Sequence, residues 1–257
     1  MSDRRTDGSA GDADYGVIGR NYTRYRQPDP AIARQIHAAL GEARSVLNVG
    51  AGAGSYEPAD REVTALEPSA SMRAQRPATL APAIDGVAET LPFADKSFDA
   101  GMAIFTIHQW KNVAAGLREM RRVTRGPIVL MSCLPERVED FWLAQYAPRM
   151  TAIEASRYPG LDQITAALGK VEVQAVSIPL HCTDGFNEAY YGRPERLLEE
   201  GARVANSAWS FVDRSTSEAH VAHLRRDLEE GRWDAQYGHL RTQPAYEGAL
   251  HLFVSQG

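Results

Sequence analysis

A glycine-rich loop near residue 50 carries the clearest chemical signal in the chain. Gly50, Gly52 and Gly54 directly follow the apolar run SVLNVG at residues 45–50. Glycine at this place allows a tight turn and lets a ligand approach the backbone, where a Cβ atom would collide. Glu67 ends the next apolar segment, 17 residues after Gly50. A carboxylate there can accept both hydroxyls of an adenosine ribose, so the spacing predicts a cofactor that contains a nucleoside.

The same loop argues against two common cofactor classes. Dinucleotide sites use G-x-G-x-x-G or a final alanine, but the sixth position is Ser55 when counted from Gly50 and Glu57 when counted from Gly52. The chain also lacks G-x-x-x-x-G-K-[ST], the loop that holds ATP in P-loop proteins. A G-x-G-x-G loop without the third dinucleotide position suits a ligand that has no pyrophosphate.

Alternating strands and helices must position this loop. Helical spacing predicts helices at residues 31–40, ended by Gly41, at 112–124, and at 152–168. Such alternation is typical of a parallel or mostly parallel α/β sheet. The apolar segments predict strands at residues 45–50, 62–69, 81–89, 97–107, 127–133, 171–178 and 248–256.

A polar, helix-rich segment separates the last two predicted strands. Residues 179–244 show no strand pattern and are longer than ordinary connections. In an α/β enzyme such an insert usually covers a site. Its aromatic side chains either form the floor of a pocket for a flat substrate or anchor the insert to the sheet. The sequence leaves both roles open. They are Phe186, Tyr190, Tyr191, Trp209, Phe211 and Trp233.

The composition is that of an ordinary globular chain. Of 257 residues, 44% are hydrophobic and 24% are charged, which excludes disorder of the whole chain. Cys133 and Cys182 are too few for a disulfide framework or a structural zinc site. A net charge of −5 argues against a general nucleic-acid binder. Because the chain has neither a membrane-spanning apolar run nor a signal-peptide core at residues 1–14, we expect a cytoplasmic protein with a disordered leader.

Four segments together resemble the S-adenosylmethionine-dependent methyltransferases of the seven-stranded, class I type, in particular the bacterial group acting on small molecules. They are VLNVGAGAGSY (46–56), ALEPS (65–69), AETLPFADKSFDAGMAIFTIHQW (88–110) and LREMRRVTRGPIVL (117–130). The resemblance runs from about residue 15 to residue 133. It implies a three-layer, doubly wound, mostly parallel α/β sheet of seven strands in the order 3-2-1-4-5-7-6, with an antiparallel seventh strand and the helical insert before the last strand. It also implies S-adenosyl-L-methionine as the cofactor.

The resemblance further implies which residues contact this cofactor. The loop at Gly50, Ala51, Gly52 and Gly54 would hold its methionine portion, and Glu67 its ribose hydroxyls. An N-terminal lid would bring an aromatic face to the sulfonium and an arginine to the cofactor carboxylate. The remaining implied contacts are Pro68, Ser69 and Met72 beside the adenine, Val87, Ala88 and Glu89 in the adenine-side loop, Phe105 and Thr106 near the sulfonium, and Tyr22, Tyr25 and Arg26 in the lid.

Two positions depart from the family pattern. The family often has an acid two residues before the first glycine, where this chain has Asn48. An amide accepts a hydrogen bond but supplies no charge for the cofactor ammonium. A second family acid is replaced by Val87, so the adenine amine would depend on backbone carbonyls or on Asp85. These departures keep open a catalytically silent subunit that retained the fold.

His108 is the candidate catalytic residue. It follows the fourth predicted strand, where that strand meets the cleft, and has a suitable unperturbed pKa. Methyl transfer needs a base only if the nucleophile arrives protonated and weakly acidic, so His108 is either a base or a structural and orienting residue. Trp110 is assigned to packing. The pair His220 and His223, with Asp227, lacks a third strong ligand, so no metal site is expected.

The sequence therefore predicts methyl transfer to an oxygen, nitrogen or carbon nucleophile of a natural-product-like or aromatic small molecule. An enzyme that uses the same cofactor without transferring methyl, such as a cyclase or decarboxylase, stays open, whereas the glycine loop argues against a nicotinamide-dependent oxidoreductase. No nucleic-acid or membrane partner is expected, and the oligomeric state is open. The predicted divisions are 1–14 (leader), 15–44 (lid), 45–178 (core), 179–244 (substrate cap) and 245–257 (final core strand).

Overall fold

A mixed six-stranded sheet forms the centre of the protein. The computed structural model describes residues 22–257 without the side chain of Tyr22, so the predicted leader and residues 15–21 of the predicted lid lie outside the described residues. The sheet has the order β2-β1-β3-β4-β8-β5, in which β8 is antiparallel to both neighbours and the other pairs are parallel. A separate two-stranded sheet pairs β6 with β7. The strands are β1 (Ser45–Val49), β2 (Glu62–Leu66), β3 (Ala100–Ile104), β4 (Ile128–Cys133), β5 (Glu172–Ala175), β6 (Ile178–Pro179), β7 (Ala245–Tyr246) and β8 (Leu250–Ser255).

The predicted strand at residues 81–89 is reduced to a single bridge. Ile84 pairs in parallel with Leu66, and its backbone carbonyl accepts a 2.9 Å hydrogen bond from the N–H of Glu67. Pro82 and Gly86 flank this point, and both residue types weaken a strand. The order of the six formed strands agrees with the expected order, and Ile84 lies at the outer side of β2, where the remaining strand was expected.

Helices cover both faces of the sheet. Alternating side chains of β1 enter different hydrophobic clusters: Val46 packs with Ile32 and Ile36 on one face, and Leu47 packs with Leu117 on the other. This arrangement makes the fold a three-layer α/β structure. The helices are α1 (Tyr22–Tyr25), α2 (Pro30–Ala39), α3 (Ala70–Arg73), α4 (Val113–Val123), α5 (Leu143–Tyr146), α6 (Pro148–Arg157), α7 (Leu161–Leu168), α8 (Glu200–Val204), α9 (Arg214–Glu229) and α10 (Arg232–Tyr237).

Two of the three predicted helices are confirmed and one is wrong. Gly41, just after α2, has a positive φ of 59°, as expected for a residue that ends a helix. The helix predicted over residues 152–168 is instead the separate pair α6 and α7. Pro159 explains the break, because a residue before proline avoids helical geometry, and Tyr158 has an extended ψ of 137°.

The insert is closed at its base by the small sheet. Ile178 pairs with Tyr246 and Pro179 with Ala245, a strand pair that the sequence pattern did not predict. Between these strands the chain forms short helices and 3₁₀ turns at Asn187–Tyr190, Pro194–Leu198, Ser207–Phe211 and Gly238–Arg241. Two further 3₁₀ turns, Ile107–Gln109 and Pro135–Asp140, follow the sheet strands β3 and β4. Within residues 22–257, none of the helices combines the length and apolar character needed to cross a bilayer.

Candidate active site

A cavity lies at the carboxyl ends of β1, β2 and β3. Loops after parallel strands meet at this edge of an α/β sheet, which is where such folds bind ligands. The structure brings together most of the residues expected to contact a cofactor, although they come from five separate stretches of the chain. Those that line the cavity are Arg26, Asn48, Gly50, Ala51, Gly52, Glu67, Pro68, Met72, Val87, Ala88, Glu89, Phe105 and Thr106.

Three expected cofactor contacts do not line the cavity: Tyr25 packs against Gly201 in the insert, and Ser69 and Gly54 lie behind the cavity wall. The N–H of Ser69 donates a 2.8 Å hydrogen bond to Glu67, and its hydroxyl caps α3 by accepting from the N–H of Met72. Gly54 has a φ of 94°, and a Cβ atom there would lie 2.3 Å from Leu80. Both residues therefore support the wall. The side chain of Tyr22 lies outside the described residues.

The first glycine of the loop is required by its surroundings. Gly50 has a φ of 71°, and a Cβ atom on it would lie 2.0 Å from Oγ1 of Thr106, at the end of the neighbouring strand. The N–H groups of Gly50 and Ala51 both donate to the carbonyl of Leu66, at 2.8 and 3.0 Å. The loop is thus held against the end of β2, with its backbone facing the cavity.

Glu67 is oriented by two backbone hydrogen bonds. Its Oε2 accepts from the N–H of Gly52 and its Oε1 from the N–H of Ser69, both at 2.8 Å. The side chain is 7% exposed, and burial raises the pKa of its carboxyl despite these two bonds. Each carboxylate oxygen keeps acceptor capacity beyond its single backbone bond, so the pair can receive two hydroxyl donors at the cavity wall.

A buried ion pair lies behind Asn48, and the sequence pattern did not indicate it. Arg76 donates two hydrogen bonds to Glu57, at 3.0 and 2.9 Å, and both side chains are nearly inaccessible. The amide nitrogen of Asn48 donates to the same carboxylate at 3.0 Å. The acid that the family often carries at position 48 is absent, but Glu57 places a negative charge directly behind it. Asp85, the proposed substitute on the adenine side, pairs with Arg73 and does not line the cavity.

A second cavity adjoins the first. Arg26, Phe105 and Gln109 line both cavities and form the boundary between them. His108 lines the second cavity, where its ring lies edge-on to Tyr158 at 4.9 Å between centroids. The candidate catalytic residue is therefore on the far side of this boundary from Glu67.

Asp184, in the insert, organises the boundary. Its carboxylate accepts hydrogen bonds from Nε of Arg26 and, at 2.8 Å, from the hydroxyl of Tyr56. The guanidinium of Arg26 lies over the ring of Phe105, 4.9 Å from its centroid. Tyr56 and Asp184 were not singled out from the sequence, because nothing local to either residue indicates that they meet. This network joins the N-terminal segment, the glycine loop and the insert.

The aromatic side chains of the insert divide between the two roles considered for them. Phe186 lines the second cavity and packs 5.3 Å from Phe105. Tyr191 and Trp233 are fully buried and anchor the insert. Trp110, assigned to packing, contacts the helix at Gly116 and also lines the first cavity.

The other candidate groups show no catalytic arrangement. Cys133 lines the second cavity, and burial raises the pKa of its thiol, which keeps the sulfur protonated. His223 lies 3.8 Å from Asp227, next to the ion pair that this carboxylate makes with Arg232. In the part of the chain from 22 to 257, no three histidine, cysteine, aspartate or glutamate side chains converge as metal ligands.

Comparison with known proteins agrees with this geometry. A methyltransferase domain matches residues 47–127. A candidate methyltransferase from an antibiotic biosynthesis pathway of Anabaena variabilis has the same fold, with a TM-score of 0.81, 28% identity, and coverage of 90% of this chain and 98% of that one. The chain is therefore similar to methyltransferases, both over residues 47–127 and in its fold.

Curated relatives match over shorter stretches. A malonyl-[acyl-carrier protein] O-methyltransferase of Erwinia pyrifoliae is 33% identical over 168 residues, which are 62% of this chain and 64% of the relative. A demethylmenaquinone methyltransferase of Porphyromonas gingivalis is 34% identical over 112 residues, 39% of this chain and 44% of the relative. The chain thus spans less than two thirds of the length of either relative.

Proposed function

We propose that the protein transfers the methyl group of S-adenosylmethionine to a nucleophilic oxygen, nitrogen or carbon of a natural-product-like or aromatic small molecule. The observation that carries the proposal is the pair of adjoining cavities: one is built around the glycine loop and Glu67, and the other lies beyond Phe105. The similar proteins whose names mention antibiotic biosynthesis and O-methylation support a methyl-transfer role.

The first cavity fits this cofactor at several points. Glu67 is oriented to accept the two ribose hydroxyls, and the loop at Gly50, packed against Thr106, presents its backbone to the cavity. The amide nitrogen of Asn48 is committed to Glu57, so its carbonyl oxygen is the atom that would accept from the cofactor ammonium. Met72 and Ala88 supply apolar contacts for the adenine ring.

The reaction requires the protein to align the acceptor with the methyl group rather than to activate either of them. When bound, S-adenosylmethionine supplies an electrophilic methyl group with a thioether as a good leaving group. The chain must hold the acceptor in line with this methyl group and exclude water. Phe105, with Arg26 over its ring, forms the boundary across which the transfer would occur.

His108 belongs to the acceptor side in this proposal. Its place in the wall of the second cavity, against Tyr158, supports a substrate-lining and orienting role. A base is required only for an acceptor that arrives protonated, so the need for one depends on the acceptor.

Calorimetric titration tests the cofactor assignment. S-adenosylmethionine and S-adenosylhomocysteine are expected to bind at micromolar concentration and NADH not at all. Glu67→Ala is expected to weaken S-adenosylhomocysteine binding by at least about tenfold, because two hydrogen bonds to a charged group are lost. Glu62→Ala, at the exposed start of the same strand, is the matched control and should bind normally.

Three results would overturn the proposal: no binding of either sulfur ligand, binding of NADH instead, or equal affinity in the wild type and Glu67→Ala. The first would indicate a fold that lost its cofactor, and the second a nicotinamide site at the glycine loop. The third would mean that the ligand binds elsewhere.

A further inference from the structure

Glu188, in the insert, lies at the same edge of the sheet as Phe105. β3 and β4 are neighbouring parallel strands, so Phe105, which follows β3, lies next to the carboxyl end of β4. Cys133 ends β4 and pairs with Leu250 of β8, whose backbone N–H donates to Glu188. The Glu188 carboxyl is therefore held beside the end of β4, and both it and Phe105 line the second cavity.

Two backbone hydrogen bonds fix the position of the Glu188 carboxyl. One oxygen accepts from the N–H of Ala249 at 2.7 Å, and the other accepts from the N–H of Leu250 at 3.1 Å. The residue is only 7% exposed. Each oxygen keeps acceptor capacity beyond its single backbone bond, so the carboxyl can accept a further hydrogen bond from a molecule in the second cavity.

Charges of both signs line the second cavity. Its wall holds the carboxyls of Glu154 and Glu188 and the guanidiniums of Arg26 and Arg157. Burial raises the pKa of Glu154, and the charges of both guanidiniums oppose this rise. A wall that is balanced in this way gives a cationic acceptor little electrostatic advantage. An aliphatic amine arrives as a cation at neutral pH, whereas a hydroxyl arrives neutral, so the wall favours a hydroxyl.

The surroundings of Glu188 allow it to take up a proton near neutral pH. Burial raises its pKa to about 7, the two backbone hydrogen bonds oppose this rise, and of the nearby charges Glu154 adds to it and Arg137 opposes it. Cys133 and Tyr246 also interact with its charge, but burial raises their own pKa values, so both stay neutral near pH 7. A base whose pKa lies close to the working pH is an effective proton acceptor.

We propose that Glu188 is the catalytic base of methyl transfer to a neutral hydroxyl group, which donates to the Glu188 carboxylate while the apolar body of the acceptor lies against Phe141 and Phe186. This assignment rests on the proposed function, since it names the acceptor atom and the proton acceptor of the same site. It selects oxygen among the three kinds of acceptor atom that methyl transfer allows. His108 then lines the cavity without taking the proton.

Atoms and charge balance in this step. The O–H bond of the acceptor breaks, and the proton passes to an oxygen of Glu188. The freed oxygen forms a bond to the methyl carbon while the carbon–sulfur bond breaks, and that bond's electron pair stays on sulfur. The sulfonium and the carboxylate begin with opposite charges, and the products are a methyl ether, a neutral thioether and a protonated carboxyl.

Matched ligands test the assignment on protein saturated with S-adenosylhomocysteine. Two sets keep the body constant and change the polar end: 2-naphthol and naphthalene, and 2-phenylethanol, ethylbenzene and 2-phenylethylamine. In calorimetry at about pH 8, the hydroxyl compound of at least one set is expected to bind at least about tenfold more tightly than its hydrocarbon. The amine should bind no more tightly than 2-phenylethanol. Turnover with S-adenosylmethionine should yield the methyl ether of the hydroxyl compound that binds.

The pH dependence of this hydroxyl preference identifies the base. As the pH falls through about 7, Glu188 takes up a proton and its charge-assisted hydrogen bond is lost. The preference should therefore fall by about three- to tenfold, while both hydroxyl compounds stay neutral throughout. Glu188→Gln should remove both the preference and its pH dependence, and should leave S-adenosylhomocysteine binding unchanged.

Two further variants separate Glu188 from neighbouring acids. Glu154→Gln removes a negative charge that raises the pKa of Glu188, so it should keep the hydroxyl preference and move the midpoint to lower pH. Glu139→Gln removes the same charge from an exposed position next to the cavity residue Val138, and should behave as the wild type does. Both variants and the wild-type profile keep Glu188 intact, so they test the assignment even if Glu188→Gln fails to fold.

The outcomes separate this inference from the proposed function. If S-adenosylhomocysteine does not bind, the proposed function fails and the assignment of Glu188 falls with it. If it binds but neither hydroxyl compound shows the expected preference, or 2-phenylethylamine binds more tightly and is N-methylated, only the Glu188 assignment is overturned. A pH dependence that persists in folded Glu188→Gln, or that disappears in His108→Gln instead, would also overturn it.

Discussion

Arg26 and Asp184 form a buried ion pair that joins the N-terminal segment to the insert at the boundary between the two cavities. The side chains are 9% and 3% exposed, and the two residues also form a backbone bridge. The hydroxyl of Tyr56 donates to the second oxygen of the same carboxylate, at 2.8 Å. Because a charge that is buried alone is far more costly than a buried pair, each partner depends on the other.

Asp184→Asn is therefore expected to lower the free energy of unfolding by about 3–5 kcal/mol, since it removes the carboxylate that pairs with the buried Arg26 guanidinium. Affinity for S-adenosylhomocysteine should fall as well, because Arg26 lines the first cavity. Urea unfolding and calorimetry measure the two effects. Asp140→Asn is the control: its contact with Arg137, at 3.9 Å, is exposed, and it should leave both properties unchanged. A similar small effect in both variants would show that the buried pair is not required.

Alanine substitutions at Gly50 and Gly41 separate the effect of backbone strain from the effect of a steric collision of the new Cβ atom. Both have positive φ, but a Cβ atom at Gly41 meets no atom within 4 Å, whereas one at Gly50 collides with Thr106. Alanine at either position should cost about 1–2 kcal/mol of stability through φ alone. Only Gly50→Ala must also displace the loop, so only this variant should lose S-adenosylhomocysteine binding in calorimetry. Normal binding by Gly50→Ala would contradict the close approach.

The raised pKa of Glu188 predicts a particular pH dependence of stability. In the folded protein the pKa of Glu188 is raised from the ordinary 4.5 to about 7. Between these two pH values the folded protein therefore holds a proton on Glu188 that the unfolded chain has released. Stability linked to this group is therefore present at low pH and is lost as pH rises through 7, by roughly 3 kcal/mol in total. Burial is the largest cause of the raised Glu188 pKa; the backbone hydrogen bonds from Ala249 and Leu250 oppose it, and of the nearby charges Glu154 adds to it and Arg137 opposes it.

Urea unfolding from pH 4.5 to 8 measures this effect as the difference between wild type and Glu188→Gln. Titrations of groups distant from position 188 cancel in the difference. The wild type should lose stability relative to the variant as pH rises. Parallel curves would show that Glu188 titrates normally.

The parts of the site that the sequence predicted are those that local constraints specify. A glycine is required at position 50, because its φ is positive and the neighbouring strand end at Thr106 leaves no room for a Cβ atom. The glycine in the sequence therefore indicates the tight loop by itself. Glu67 follows from its place at the end of a strand. The helix break at Pro159 was also local and readable, because proline restricts the residue before it.

The parts that escaped prediction depend on contacts between distant segments. Tyr56 and Asp184 are 128 residues apart, and neither lies in a pattern that points to the other. Glu154 and Glu188 look like ordinary helix and turn acids until the fold brings them to the wall of one cavity. The strand expected at residues 81–89 was overpredicted, since its apolar residues are separated by proline and glycine.

Asn48 provides a last prediction, because restoring the acid that is common in the family should harm this protein. The Asn48 amide donates to Glu57 at 3.0 Å, so Asn48→Asp would put two carboxylates at hydrogen-bonding distance, both beside the guanidinium of Arg76. We expect a loss of about 1–3 kcal/mol in unfolding free energy and weaker S-adenosylhomocysteine binding.

The double variant Asn48→Asp, Glu57→Gln separates charge repulsion from loss of the amide itself. It moves the negative charge by one side chain and keeps a donor and an acceptor at the contact, so it should recover at least half of the lost stability. Glu57→Gln alone should be destabilising, since it leaves Arg76 buried without its counter-charge. A double-mutant cycle in urea then gives a favourable coupling between positions 48 and 57. If Asn48→Asp alone strengthens cofactor binding, Glu57 does not serve as the acid behind the loop.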